Sequence, residues 1–284
     1  IGGGVIQDTA SSAVLCAILA AKQKIADNSA TKPKMETLVA YCSTETHSSV
    51  MKAISICGME SQQLRTIGID HNFSLDTNEL SKQIQIDIAQ GLTPFFTCAT
   101  LGTTSSNAMD PIVEIGQICQ QFQIWLHVDG AMSGTASLCP EFQYLMEGME
   151  LAQSYCFNPH KWMLTNFDCS CFYVSDRESL LRALSILPEY LKNKATQSGE
   201  VIDYRDWHIP LGRRFRALKL WFVLRLYGAD GLRKHIRSHV AWTQMFAQWV
   251  EADPNFELMA PTPLNLVCFR HMEGDDFNRQ LLNQ

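Results

Sequence analysis

The sequence predicts an α/β fold with a mostly parallel sheet buried on both faces. Two observations carry this. Short continuous apolar runs, such as 94–99 and 124–128, read as strands covered on both sides. They alternate with segments of helical spacing throughout the first 175 or so residues. A third observation locates a site: the run ending at Asp129 closes on a carboxylate followed by small residues, and open α/β sheets gather ligands at the carboxyl ends of their strands.

Taken in order, residues 10–27 are rich in alanine and leucine and read as a helix. Residues 38–43 read as a strand, 46–57 as a helix, and 65–67 as a short strand. Residues 76–90 have helical spacing, with Asp76 and Thr77 as caps. After the strand 94–99, a helix over 110–121 opens on Asp110-Pro111, with proline in its favoured first turn. Further strands are predicted at 124–128, 154–157 and 170–174. The polar stretch 182–206 reads as a long mobile loop. Helices over 213–226 and 229–250 follow, and a late strand over 264–270. The glycine run Gly2-Gly3-Gly4 has no visible strand before it and lacks dinucleotide spacing. Residues 1–250 are read as one large domain and 251–284 as the start of a small C-terminal one.

Composition excludes several classes. The 284 residues carry a net charge of −6, with a pI near 5.7, which argues against a nucleic-acid surface. No apolar run reaches membrane-spanning length, so no membrane partner is expected. Ten cysteines include no Cys-x-x-Cys pair and no zinc spacing. They read as small core residues in a reducing compartment, with no metal site, and point to a cytoplasmic protein. The chain opens at Ile1 without methionine and stops inside a helical pattern, and it reads as a fragment lacking N- and C-terminal parts.

The chemistry concentrates in Asn158-Pro159-His160-Lys161-Trp162. A lysine within an apolar and aromatic run either packs its stem and sends its head to water, or is desolvated into a nucleophilic amine suited to a Schiff base. Asp129 has two readings as well: a cap at a strand–helix turn, or a partner for the protonated ring nitrogen of pyridoxal 5'-phosphate (PLP). Thr9-Ala10-Ser11 opens the first long helix and either caps it or cradles a phosphate. His47 follows a strand and opens a helix, where an imidazole can stack on a ring or act as acid or base. Thr100-Leu101-Gly102-Thr103-Thr104 is another polar strand end. A lysine, a strand-end aspartate, a histidine and a helix-end phosphate cradle together are what PLP chemistry requires.

These residues resemble the PLP-dependent amino-acid decarboxylases, and most closely the aromatic-L-amino-acid branch (DOPA, tryptophan, tyrosine). The resemblance runs through 2–11, 99–104, 124–129, 139–142, 157–164 and 206–215, and so spans nearly the whole chain. It implies a PLP-dependent transferase-like fold of the aspartate aminotransferase type (fold type I), with a mostly parallel seven-stranded sheet and flanking helices. It implies that Lys161 holds PLP as a Schiff base, Asp129 pairs with the pyridine nitrogen, His47 stacks on one ring face and Ala131 packs on the other. Ala10, Ser11, Asn158 and Ser154 match the phosphate side, Thr104 lies near the ring hydroxyl, and His160 supports the lysine. Tyr190 matches a loop tyrosine that reaches the active site of a partner subunit and protonates the substrate carbon, which makes the expected assembly a homodimer with shared active sites.

His160 and Gly212 favour the aromatic branch over histidine decarboxylases, and Gly212 leans toward indolic substrates. An aldehyde synthase is the nearer rival, but such relatives usually replace the loop tyrosine or the stacking histidine, and both Tyr190 and His47 are present. A non-catalytic PLP-binding protein and a cofactor-free Schiff-base aldolase are rivals from other classes. The chain departs from the family at Gly130 and Met132, where alanine and tyrosine are usual, which puts the shape of the pocket in question.

Overall fold

The computed structural model describes residues 2–186 and 202–283. The strands are β1 (Gly3–Gln7), β2 (Leu38–Ser43), β3 (Leu64–Ile67), β4 (Thr93–Thr100), β5 (Trp125–Asp129), β6 (Ser154–Phe157) and β7 (Ser170–Val174). Together they form one seven-stranded sheet in the order β1-β7-β6-β5-β4-β2-β3. Strands β2 to β6 pair in parallel, and β7 is antiparallel to both its neighbours, so the sheet is mostly parallel as its apolar runs required.

Each face is covered by helices. On one side lie α1 (Ala10–Asn28), α2 (Ser49–Ile56) and α6 (Arg177–Leu184). The buried side of α1 is made of small residues, among them Ala13, Cys16, Ala17, Ala20 and Ala21, which lets the helix sit close on the sheet. On the other side lie α3 (Thr77–Ala89) and α4 (Ile112–Phe122), packed on Tyr41, Leu126 and Val128. A single turn, α5 (Pro159–Trp162), follows β6. The long helix α7 (Arg216–Ala252) comes next, then a separate two-stranded sheet of β8 (Phe256–Leu258) and β9 (Phe269–His271), and α8 (Asp275–Leu282).

Several expectations need correction. The glycine run is itself the edge strand β1. Glycine carries no strand signal, but a Cβ at Gly3 would meet the Trp207 ring at 2.4 Å and one at Gly4 the Tyr173 ring at 2.7 Å, so these positions accommodate aromatic rings. Pro111 stands at the N-cap of α4, not inside its first turn, since its ψ of 88° is outside the helical range, and the Asp110 carboxylate accepts from Leu75 N and Thr100 N. The stretch expected to be a loop begins inside α6 and ends in a turn, Tyr204–Trp207, that buries Trp207. Leu264 is a buried plug against Trp162 and Ile236, not the start of a strand, and the nearby Pro261 and Pro263 lack the N–H that a ladder needs. The two expected late helices, by contrast, are present as the two arms of α7, separated at Gly228, whose φ of 62° and ψ of 179° are not helical.

Candidate active site

The parallel topology brings the carboxyl ends of β1, β2, β4, β5 and β6 to one edge of the sheet, around a cavity of about 390 Å³. From β1 the chain enters α1, and Thr9, Ala10 and Ser11 line the wall where the first N–H groups of a helix have no intrahelical acceptor. From β2 it passes to His47, whose Nδ1 accepts from Ser49 N at 3.1 Å and so fixes the ring at the start of α2. From β4 come Thr100, Gly102, Thr103 and Thr104. The loop carrying them is pinned by Asp110, whose carboxylate accepts from Thr100 N (2.7 Å) and Leu75 N (2.8 Å). Burial raises the Asp110 carboxyl to about 6.

From β5 come Asp129 and Ala131. Asp129 is 5% exposed, and its Oδ1 accepts from Ala131 N at 2.9 Å. From β6 come Asn158, His160 and Lys161. The His160 Nδ1 accepts from Cys169 N at 2.8 Å and its ring lies on Phe167, with centroids 4.6 Å apart. Burial lowers its imidazole below the usual range. Downstream, Asp168 takes a two-pronged hydrogen bond from Arg216 (2.9 and 3.1 Å), which ties the lysine-bearing segment to the start of α7 and holds that carboxyl at about 2.

The structure therefore brings together Ala10, Ser11, His47, Thr104, Asp129, Ala131, Asn158, His160 and Lys161. Lys161 is exposed, not buried as its apolar neighbours suggested, because α5 turns it toward an open cavity while Trp162 and Met163 enter the core. Ser154 does not line the cavity: its hydroxyl is committed to Trp125 Nε1 and His127 Nδ1, both at 2.8 Å. Gly212 lines a separate cavity with Asp8, His208 and Arg213. Tyr190 lies outside the described residues. Gly130 is not on the wall, and a Cβ there would meet the Tyr155 ring at 2.8 Å. Met132 is on the wall.

Sequence reasoning missed Ser49, Asn107, Phe167, Asn265 and Leu266, all of which line the cavity. Asn107 carried a local signal, being a polar residue in a tight turn (φ 55°). Asn265 and Leu266 carried none, since only the return of the chain after α7 brings them here. Three buried polar atoms on cavity residues, Thr100 Oγ1, Asn107 Nδ2 and Asn158 Oδ1, have no hydrogen-bond partner among the described residues. Such atoms are costly to leave unpaired and mark a wall built for a polar ligand.

A lysine, a buried carboxylate and a helix N-terminus meet at the carboxyl edge of a doubly covered sheet, where α/β enzymes bind their ligands. Residues 1–272 match the pyridoxal-dependent decarboxylase conserved domain. Tryptophan decarboxylase 2 of Oryza sativa is 48% identical over all of this chain and 59% of its own length, and phenylacetaldehyde synthase of Arabidopsis thaliana is 47% identical over all of this chain and 58% of its own. A crystal structure of Oryza sativa TDC with PLP and tryptamine superposes with a TM-score of 0.96 at 40% identity, covering 99% of this chain and 60% of that one. The chain belongs to the pyridoxal-dependent decarboxylase family, and it spans about three-fifths of the length of the relatives it matches.

Proposed function

We propose that the protein is a PLP-dependent carboxy-lyase that converts an aromatic L-amino acid into its amine and CO2. The observation that supports this most directly is the convergence of Lys161, Asp129, His47 and the N-terminus of α1 on one cavity. When bound, PLP supplies an electron-accepting ring that stabilises the carbanion left by CO2. The residues fit it. Lys161 is the amine that would hold the aldehyde of PLP. Asp129 holds a proton on the ring nitrogen. The backbone of Ala10 and Ser11, with Asn158, receives the phosphate. His47 and Ala131 would pack on the ring, Thr104 would contact its hydroxyl side, and His160 would support the lysine segment. Met132, Phe167 and Leu266 add apolar surface on which an aromatic side chain can pack.

Tyr190 is proposed as the group that returns a proton to the substrate carbon, and Gly212 as part of the substrate pocket. Gly212 faces another cavity of its own chain, so that role calls for a partner subunit, and we place the active sites at the interface of a homodimer. The exposed Trp221, Phe222, Leu226 and Tyr227 on α7 support a covered face there. Residues 1–250 act as the large cofactor domain, and 251–284 begin a small C-terminal domain that lends Asn265 and Leu266 to the site. Ten free cysteines support a reducing, cytoplasmic setting.

A second reading, an aromatic aldehyde synthase, is favoured by the near-equal similarity to phenylacetaldehyde synthase. The decisive assay uses the protein at its full natural length with PLP, measuring absorbance, CO2, amine and peroxide with tryptophan, DOPA, tyrosine and histidine. Amine and CO2 without stoichiometric peroxide are expected. Peroxide with aldehyde would assign the synthase instead, and no PLP binding would defeat both readings.

A further inference from the structure

The Asp129 carboxylate ends a line of buried polar groups that runs through the middle of the sheet. Trp125, His127 and Asp129 occupy alternate positions of β5 and so share one face. Across the ladder, Ser154 pairs with His127 and Cys156 with Asp129, which puts their side chains on that same face. The contacts are continuous. Trp125 Nε1 lies 2.8 Å from Ser154 Oγ, and Ser154 Oγ lies 2.8 Å from His127 Nδ1. Cys156 Sγ lies 3.8 Å from His127 Nε2 and 3.7 Å from Asp129 Oδ1. None of the five residues is more than 5% exposed, and Phe96 and Phe172 flank the imidazole.

The donor inventory gives this line a direction. An indole N–H can only donate, so Ser154 Oγ accepts from Trp125 and its own proton is free for His127 Nδ1. Burial holds His127 neutral down to about pH 4, so the ring has one proton, which then sits on Nε2 and points at Cys156 Sγ. Burial, reinforced by the Asp129 charge, keeps Cys156 as a thiol, and its S–H is left for Asp129 Oδ1. The opposite tautomer satisfies less. A proton on Nδ1 would leave the Ser154 hydroxyl without an acceptor in this line. It would also turn the Nε2 lone pair toward Cys156, drawing the thiol hydrogen away from Asp129. Buried networks with one fully satisfied arrangement adopt it.

We propose that His127 and Cys156 are positioning residues for Asp129: the line Trp125–Ser154–His127–Cys156 locks His127 as its Nε2–H tautomer and delivers a thiol hydrogen bond to Asp129 Oδ1. With Oδ1 held by Cys156 and by Ala131 N, the carboxylate keeps one rotamer and presents Oδ2 to the cavity. The inference rests on the reading that Asp129 pairs with the ring nitrogen of PLP. It explains why a serine that looks like a phosphate ligand in the sequence is directed into the core.

The test has two parts, both on the protein at full natural length. Nitrogen-15 NMR of the imidazoles, assigned with His127→Gln, reports the tautomer of His127 without requiring turnover. The expected result is Nε2–H from pH 6 to 8, and an Nδ1–H ring or an imidazolium would overturn the proposal. PLP titration of Cys156→Ala, Cys156→Ser and Asp129→Ala supplies the second readout. Loss of one hydrogen bond to a charged group predicts about tenfold weaker PLP binding for Cys156→Ala, with most of the affinity restored by Cys156→Ser, whose hydroxyl can donate. If Cys156→Ala binds PLP like the parent while Asp129→Ala does not, the positioning role is refuted and the Asp129 reading stands. If Asp129→Ala also binds normally, the reading of Asp129 fails, and this inference with it. Should Cys156→Ala not fold, the tautomer in the unaltered protein still decides.

Discussion

A methyl group at position 130 would press on the Tyr155 ring at 2.8 Å, and one at Gly134 would meet the Tyr155 hydroxyl oxygen at 2.2 Å. The departure from the family's usual alanine at 130 is thus matched by the packing of Tyr155 and lies off the cavity wall. Gly130→Ala is expected to destabilise the fold by about 1–3 kcal/mol, as overpacking does, with PLP affinity little changed. Urea unfolding and a PLP titration check the two halves. Lys161→Ala should abolish the covalent cofactor signature in the absorbance spectrum and lower turnover by at least about a thousandfold, since a nucleophile has no substitute here. Asp110→Asn replaces an acceptor of two buried N–H groups with an amide that can serve only one of them. The expected loss is about 1–3 kcal/mol in chemical denaturation. At this scale the sequence was informative about Lys161, Asp129 and His47, because each stands at a strand or helix end where its chemistry is legible. It misled at Ser154, whose type suits a phosphate but whose place on β6 points it at His127. Asn265 and Leu266 were invisible, since no local pattern reports what a chain will meet after a kinked 37-residue segment.

The elements that periodicity identified best were those with one strong face. Helix α3 begins at Thr77 with the Asp76 carboxylate accepting from Asn78 N and Glu79 N, as an N-cap should. Strands β5 and β7 were legible because apolar and aromatic residues fill most of each. Strand β1 was not, since its identity comes from pairing with β7 and from the rings of Trp207 and Tyr173, not from its own glycines. The break in α7 was legible as a gap between two amphipathic runs. Its physical cause is Gly228, held at φ 62° where an L-residue is strained. Gly228→Ala is expected to lower stability by about 1–2 kcal/mol, or else to straighten the helix and displace its exposed aromatic face. Thermal unfolding with circular dichroism separates the two: a lower midpoint at equal helicity, or a gain in helical signal.

Over the whole molecule, two buried imidazoles set an acid limit that one buried carboxyl offsets in part. Burial depresses both His127 and His208 to about 4, the latter helped by the Arg213 charge. The unfolded chain takes up those protons first, so the stability they permit is complete above about pH 6.5 and drains away as pH falls toward 4. Asp110 acts in the other direction. Its raised folded value of about 6 means that the stability tied to its protonated form is complete below about 4 and is lost as pH rises through 6. Two imidazoles against one carboxyl leave a net loss on acidification, on the order of 3 kcal/mol between pH 6.5 and 4. Urea midpoints across that range should fall, and His127→Gln should flatten the curve. Strand order carries a different consequence, for the history of the chain. Strand β1 pairs with β7, which begins at Ser170. Roughly 160 residues separate the two strands, so β1 waits on their synthesis for its neighbour, at a loop-closure cost that grows with that separation. Until then α1 has a partial sheet beneath it and an unpaired edge beside it. The nascent protein is therefore expected to depend on protection from aggregation for longest around β1.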